Sequence, residues 1–202
     1  MKINIKIMEK IGIFGGTFDP IHLGHLITAR SVKEIRNLSQ IIFIPAKTSP
    51  LKQDIESASP KHRFEMTKLA VEDFPDFSVS DYEINNSEIS YSINTIKYFK
   101  NLYKNIDLII GYDNFLVFDK WYEWEEILEL VDVVVLKRFF ENPVQGKMKL
   151  ANFIFVDSPT IQISSTVIRE RHSNNLPIDL LVTPKVLDYI KQNNIYMGRN
   201  DI

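Results

Sequence analysis

The stretch Gly12-Ile13-Phe14-Gly15-Gly16-Thr17-Phe18-Asp19-Pro20-Ile21-His22-Leu23-Gly24-His25 holds four of the seven glycines in the 202-residue chain. It follows a short apolar run and leads into Leu26-Ile27-Thr28-Ala29-Arg30-Ser31-Val32, whose spacing predicts an amphipathic helix. A strand, a glycine-rich turn and a helix start, in that order, make a site for an anion. Glycine lets the backbone turn tightly and brings N–H groups close to a phosphate, while the first helical N–H groups are unpaired at the positive end of the dipole. His22 and His25, three residues apart on the first helical turn, face the same bound group. The stretch contains neither G-x-G-x-x-G nor G-x-x-x-x-G-K-[ST], so it is neither the dinucleotide fingerprint nor a P-loop. Two alternatives stand beside the phosphate reading. One is zinc, although two ligands rarely suffice and the chain adds only two further histidines and no cysteine. The other is a pair of imidazoles that merely cap a helix.

Outward from this turn, apolar runs alternate with helical periodicity. Residues 11–14 read as the first strand and residues 23–38 as the first helix. Ile41-Ile42-Phe43-Ile44, stopped by Pro45, is a continuous apolar run of the kind buried on both faces of a sheet. Residues 45–59 are polar and read as a loop. Ser59-Pro60 opens a helix reaching about residue 74, with serine as N-cap and proline at the first helical position. Further strands are predicted at 77–84, 106–111, 131–136 and 152–156. Further helices are predicted from a cap at Ser90 or Ser92 to 104, in one or two pieces within 112–130, at 165–171 and at 184–192. This alternation predicts an α/β fold, a Rossmann-like doubly wound parallel sheet with helices on both faces. Ligands in such sheets sit beyond the carboxyl ends of the strands, where the strand order reverses. A single domain over residues 1–202 is expected, with 164–202 a small C-terminal helical region. Residues 1–10, a possible N-terminal extension, either extend the first strand or contain a later start at Met8.

The length supports a substantial core, and apolar (45%) and charged (25%) fractions are ordinary for a globular protein. A net charge of −2 gives no general reason to bind nucleic acid or an acidic membrane, so an anion site must be local. The absence of cysteine excludes disulfides, thiolate catalysis and cysteine-ligated metal. No apolar run approaches the roughly 20 residues that span a bilayer, and residues 1–10 lack the apolar core of a signal peptide, so a cytoplasmic location is expected. No metal ligand set is assigned, and oligomeric state stays open. Asp107 and the Asp81/Glu83 pair have no motif behind them and read as solvated surface charges. His62 and Arg63 read as the exposed face of the helix after Pro60.

The second constellation is Ile163-Ser164-Ser165-Thr166-Val167-Ile168-Arg169. Hydroxyl residues at a helix start aim donors where the free N–H groups already point, and Arg169 one turn on adds a forked cation. Ordinary capping with a surface arginine is the equal alternative on these residues alone.

Taken together, Gly-Gly-Thr-Phe-Asp-Pro followed by His22-Leu23-Gly24-His25, and Ile-Ser-Ser-Thr-x-Ile-Arg near the C-terminus, resemble the two signatures of the His-x-Gly-His nucleotidyltransferase superfamily. Ser90-Tyr91-Ser92-Ile93-Asn94-Thr95, Gly111-Tyr112-Asp113 with Trp121-Tyr122, and the segment from Val182 to Tyr196 are similar to stretches of its bacterial nicotinate-nucleotide adenylyltransferases. The likeness runs over nearly the whole chain from Ile11. There are departures: Pro-x-His-Lys/Arg appears as Pro50-Leu51-Lys52, Ser-Tyr-Thr-x-Asp as Ser-Tyr-Ser92-x-Asn94, and Arg-Pro-Gly as Arg138-Phe139-Phe140.

The resemblance implies adenylyl transfer from ATP to nicotinate mononucleotide in NAD biosynthesis, with Mg²⁺ carried on the ATP phosphates. Preference for the nicotinamide mononucleotide, acceptance of both, or ATP sensing without turnover are the alternatives. It implies that Gly15, Gly16, Thr17, Phe18, His22, His25, Ser164, Ser165, Thr166 and Arg169 bind ATP, with His22, His25 and Arg169 catalytic. On the acceptor side it implies Lys52 for the mononucleotide phosphate, Trp121 for stacking on the pyridine, and the backbone near Ser92 and Tyr122 for its carboxylate. Asp113 is expected to order that loop or touch the ribose. The resemblance also implies an arginine at the position of Arg63, facing the loop.

Overall fold

Successive residues of the apolar runs separate onto opposite faces of a sheet, and two cores result. Ile41 and Phe43, Ile109 and Val134 pack on one side; Ile42 and Ile44, Leu108 and Ile110, Val133 and Val135 pack on the other. That period of two, with both faces apolar, is what a fully covered parallel sheet requires. The computed structural model describes residues 9–48, 50, 57–86, 89–136, 153–159 and 161–197. Within them lie β1 (Lys10–Gly16), α1 (Leu23–Ile35), β2 (Gln40–Pro45), α2 (Pro60–Val71), β3 (Phe77–Val79), α3 (Tyr82–Asn86), α4 (Ser92–Lys100), β4 (Asn105–Gly111), α5 (Tyr112–Phe115), α6 (Trp124–Leu130), β5 (Asp132–Leu136), β6 (Phe153–Val156), α7 (Ser165–Ser173) and α8 (Pro184–Gln192). The strand order is β3-β2-β1-β4-β5-β6, every pairing parallel. Order therefore reverses between β1 and β4, and ligands are expected at their carboxyl ends. Residues of α1, α2, α7 and α8 fill the first core; those of α4, α5 and α6 fill the second.

Element ends have local causes. Ser59 caps α2 by accepting the His62 N–H at 3.3 Å, with Pro60 at the first position, as the sequence predicts. α1 stops at Ile35, short of residue 38, because Asn37 adopts φ 51 and the Leu38 N–H closes on the Lys33 carbonyl at 2.9 Å. The strand expected over 77–84 is only Phe77–Val79. Ser80 Oγ accepts the Tyr82 N–H at 3.2 Å and starts a helical turn, so Ile84 belongs to α3. α4 ends at Lys100 rather than 104, and neither serine caps it: its N-cap is Tyr91, and Ser90 Oγ accepts from Lys47 N–H instead.

Three acidic or basic groups expected at the surface are buried. Asp107 has no exposure and pairs with Arg36 at 2.7 Å and Lys10 at 2.9 Å on the amino-terminal side of the sheet. Glu83 is buried against Thr95, whose hydroxyl donates to it at 2.6 Å. Burial pushes its carboxyl up, while the Thr95 and Ser90 hydroxyls pull it down. Arg63 is the third, described below. A central strand and a short helix each expose too little surface to hold a charge in water, so partners inside the protein replace solvent. No helix among the described residues is long and apolar enough to cross a membrane.

Candidate active site

β1 delivers Gly15 and Gly16 to the carboxyl edge beside Ile44 and Pro45 of β2. Gly15 is exposed, and a Cβ there would meet nothing within 4 Å, so the backbone is open to a ligand. At Gly16 a Cβ would sit 2.9 Å from the Phe18 ring. Phe18 takes φ 50, and its buried ring stands edge-on to Phe14, centroids 5.9 Å apart. The left-handed conformation of a bulky residue is paid for by that packing. Asp19 follows, buried, joined by a cis peptide to Pro20, and the chain enters α1 with His22 as N-cap.

The two imidazoles are stacked, ring centroids 3.7 Å apart at 25°. His25 Nδ1 accepts the His22 backbone N–H at 3.3 Å. A backbone N–H can only donate, so the proton of a neutral His25 ring is on Nε2. Phe18 and Phe14 hold the His25 ring edge-on at 5.1 and 6.1 Å. His22 is buried, and loss of solvation brings its imidazole down to about 4, so it is neutral near pH 7. Its Nδ1 is buried and lacks a hydrogen-bond partner among the described residues. Gly24 is needed here because a Cβ would approach His22 Nδ1 to 3.0 Å and Cε1 to 3.1 Å.

The C-terminal constellation folds onto the same turn from 145 residues away. Ser164 caps α7 by accepting the Val167 N–H at 3.2 Å, Ser165 Oγ donates to the Pro20 carbonyl at 2.9 Å, and Thr166 lies exposed beside them. Arg169 is buried, and its Nη1 donates to the Asp19 carbonyl at 2.9 Å and lies 3.6 Å from Asp19 Oδ2. Asp19 Oδ1 in turn accepts the Ala58 N–H at 3.0 Å and the Tyr196 hydroxyl at 2.7 Å. The amino ends of α1 and α7 therefore meet at the Asp19–Pro20 turn.

On the other side of the β1–β4 reversal, Ser92 is the first residue of α4 and Asp113 lies exposed in the first turn of α5. Tyr122 is exposed, and its ring meets that of Tyr91, the α4 N-cap, at 5.0 Å. Ser90 Oγ accepts the Lys47 N–H at 2.9 Å, and the Ser90 N–H donates to the Thr48 carbonyl at 3.0 Å. The α4 start, the Tyr122 loop and the exit of β2 are thus brought together. Trp121 is half-buried against Phe118, centroids 5.0 Å apart, and its Nε1 has no partner among the described residues. Lys52, with Arg138, lies outside the described residues.

Arg63 is buried and not on the exposed face of α2, although it does face the loop, as the resemblance implies. It is 1% exposed, and its guanidinium donates to four carbonyls: Thr17 at 2.8 Å, Lys47 at 2.9 Å, Ala58 at 3.0 Å, and Ala46. Desolvation lowers its pKa, against the field of buried Asp19. Asp19 and Tyr196 belong to the same buried cluster. Asp19 sits inside the quoted motif, whereas nothing in the sequence marks Tyr196 or Arg63 as its neighbours.

Residues 13–171 match the cytidylyltransferase-like family, and the protein is a nucleotidyltransferase of that class. The chain is 42% identical over 194 residues to a probable nicotinate-nucleotide adenylyltransferase of Caldicellulosiruptor saccharolyticus, covering 93% of this chain and 98% of the relative. It is equally 42% identical over 197 residues to the protein of that name from Carboxydothermus hydrogenoformans, with 93% and 98% covered. The fold is shared with the Plasmodium falciparum nicotinic acid mononucleotide adenylyltransferase complexed with NaAD: TM-score 0.73, 21% identity, 93% of this chain and 97% of that one. The chain belongs to the nicotinate-nucleotide adenylyltransferase family.

Proposed function

We propose that this protein joins nicotinate mononucleotide to the α-phosphorus of ATP, releasing pyrophosphate and forming nicotinate adenine dinucleotide on the route to NAD. The observation that carries the reading is the convergence of His22, His25 and the α7 amino end on the Asp19–Pro20 turn at the sheet's switch point. A 5′-phosphate oxygen forms the new bond to the α-phosphorus as the bond to the bridging oxygen of the β-phosphate breaks. A phosphate monoester with a second pKa near ~6 is mostly dianionic at neutral pH, so no general base is needed. The barrier is the approach of two anions, and it is lowered by in-line positioning and by donors aimed at the transferring group.

The backbone of Gly15, Gly16, Thr17 and Phe18 would cradle phosphate oxygens. His25 would offer Nε2–H, and neutral His22 a hydrogen bond rather than a charge. Ser164, Ser165 and Thr166, at the start of α7, would receive the leaving pyrophosphate. Arg169 holds that helix start to Asp19 and would bring its cation next to the same group. Mg²⁺ enters as part of the substrate, on ATP phosphate oxygens. Lys52 is assigned to the acceptor phosphate, Trp121 to the pyridine face, and Asp113 to ordering the loop between them. The N–H groups near Ser92 and Tyr122 would meet the nicotinate carboxylate. Such donors reject an amide, whose NH₂ would set donor against donor.

The test is pyrophosphate release with Mg·ATP, comparing nicotinate with nicotinamide mononucleotide. A large preference for the acid is expected. Equal rates would overturn the carboxylate assignment, and no release with either would overturn the reaction.

A further inference from the structure

Arg63 is fully buried, carries no ligand-facing surface, and spends its donors on main-chain carbonyls from three separate stretches. One is the glycine turn (Thr17), one the exit of β2 (Ala46 and Lys47), and one the approach to α2 (Ala58). Among the described residues no carboxylate bonds this guanidinium directly; burying a cation in that way is costly, so the arrangement needs a reason beyond filling space. Peptide geometry supplies one. Across a planar trans peptide the carbonyl and the following N–H point in opposite directions. A carbonyl drawn onto Arg63 therefore turns the next N–H away from it. The Ala46–Lys47 peptide displays both halves: its carbonyl is on Arg63, and its N–H reaches Ser90 Oγ at 2.9 Å. The Thr17–Phe18 peptide has its carbonyl on the same guanidinium at 2.8 Å, in a turn where Phe18 holds φ 50.

We propose that Arg63 is a positioning residue for the phosphate site: it fixes the Thr17–Phe18 peptide so that the Phe18 N–H is presented as an anion donor, and sets the β2 exit against it. This rests on the reading of the glycine turn as the ATP-phosphate site. A rigid planar fork suits the task, since its five donors reach four carbonyls at once where an ammonium has only three. Without it the strained peptide is free to rotate, and a donor displaced by an ångström loses roughly 100-fold in rate.

The experiment uses ¹⁵N-phenylalanine-labelled full-length protein, titrated with inorganic pyrophosphate, alongside steady-state kinetics of Arg63→Lys and Arg63→Met. In the parent protein the Phe18 amide resonance is expected to move on titration. In Arg63→Met, assayed below its melting temperature, the shift is lost and kcat falls by roughly 100-fold, with Arg63→Lys between the two. If Arg63→Met does not fold, Arg63→Lys alone decides, with a reduced Phe18 shift and a lowered kcat expected. A variant that loses only thermal stability while keeping its kcat and Phe18 shift overturns the proposal. A parent protein whose Phe18 amide ignores pyrophosphate, while still releasing it from ATP, overturns instead the reading of the turn.

Discussion

The ring of His25 lies over that of His22 at 3.7 Å and accepts the His22 backbone N–H on Nδ1. Helix capping and phosphate chemistry, opposed as alternatives in the sequence, are therefore compatible here. The nitrogen used for the cap sets the tautomer that leaves Nε2–H as a donor.

Replacing either ring by alanine tests its proposed role as a donor to the transferring phosphate. His22→Ala is expected to lower kcat by about 100-fold or more while changing the ATP dissociation constant only a few-fold. Steady-state kinetics with calorimetric ATP titration checks this; equal damage to kcat and affinity would reduce His22 to a binding group.

Stability should depend on pH through His22. Its imidazole falls from 6.5 to about 4 on folding, so between those values the unfolded chain binds the extra proton. The contribution is fully present above pH 6.5 and is lost as pH falls toward 4, amounting to about 3 kcal/mol at most. Urea melts of the parent and His22→Gln from pH 7 to 4 should show a shallower decline in the variant; parallel curves would remove His22 as the cause.

Gly24→Ala sets helix propensity against the site. Alanine gains up to about 1 kcal/mol over glycine in a helix interior and less at Gly24, the second residue of α1, while its Cβ would press on His22 Nδ1 at 3.0 Å. The expected outcome is a melting temperature close to that of the parent and a kcat at least about tenfold lower. Full activity would mean that the His22 ring yields without consequence.

Asp107→Asn tests the opposite edge. It removes the buried carboxylate from Arg36 and Lys10, which keep Asp132 at 3.0 and 3.3 Å, and should cost about 1.5 kcal/mol in chemical denaturation. Because Asp107 pairs in register with Gly12, toward the start of β1, and not with the glycine turn, kcat at a temperature below melting should not change. A lowered kcat in a fully folded variant would link the two edges.

Local pattern carried most of the architecture. Four-residue apolar runs, Ser59-Pro60 and the Gly15-Gly16 stretch announce strands, a helix start and a tight turn, because each depends on neighbours a few residues away. Pattern failed where a short polar contact outweighed it, as at Ser80, which turns the run after Val79 into a helix. It failed again for Asp107, Glu83 and Arg63. A charged residue reads as solvated until its partners are known, and those partners lie far off in the chain or on main-chain carbonyls.

The sequence by itself determined the doubly wound sheet, the glycine turn and the two imidazoles at its end, since periodicity, glycine spacing and an N-terminal helix turn are local properties. Only the tertiary structure decided that Ser165 and Arg169 close on Pro20 and Asp19, and that Tyr196 reaches Asp19 across 177 residues. It alone placed Arg63 beneath the turn. Those contacts arise from how helices pack on the sheet, and burial then forces each charge and donor to find the partner that packing brings within reach.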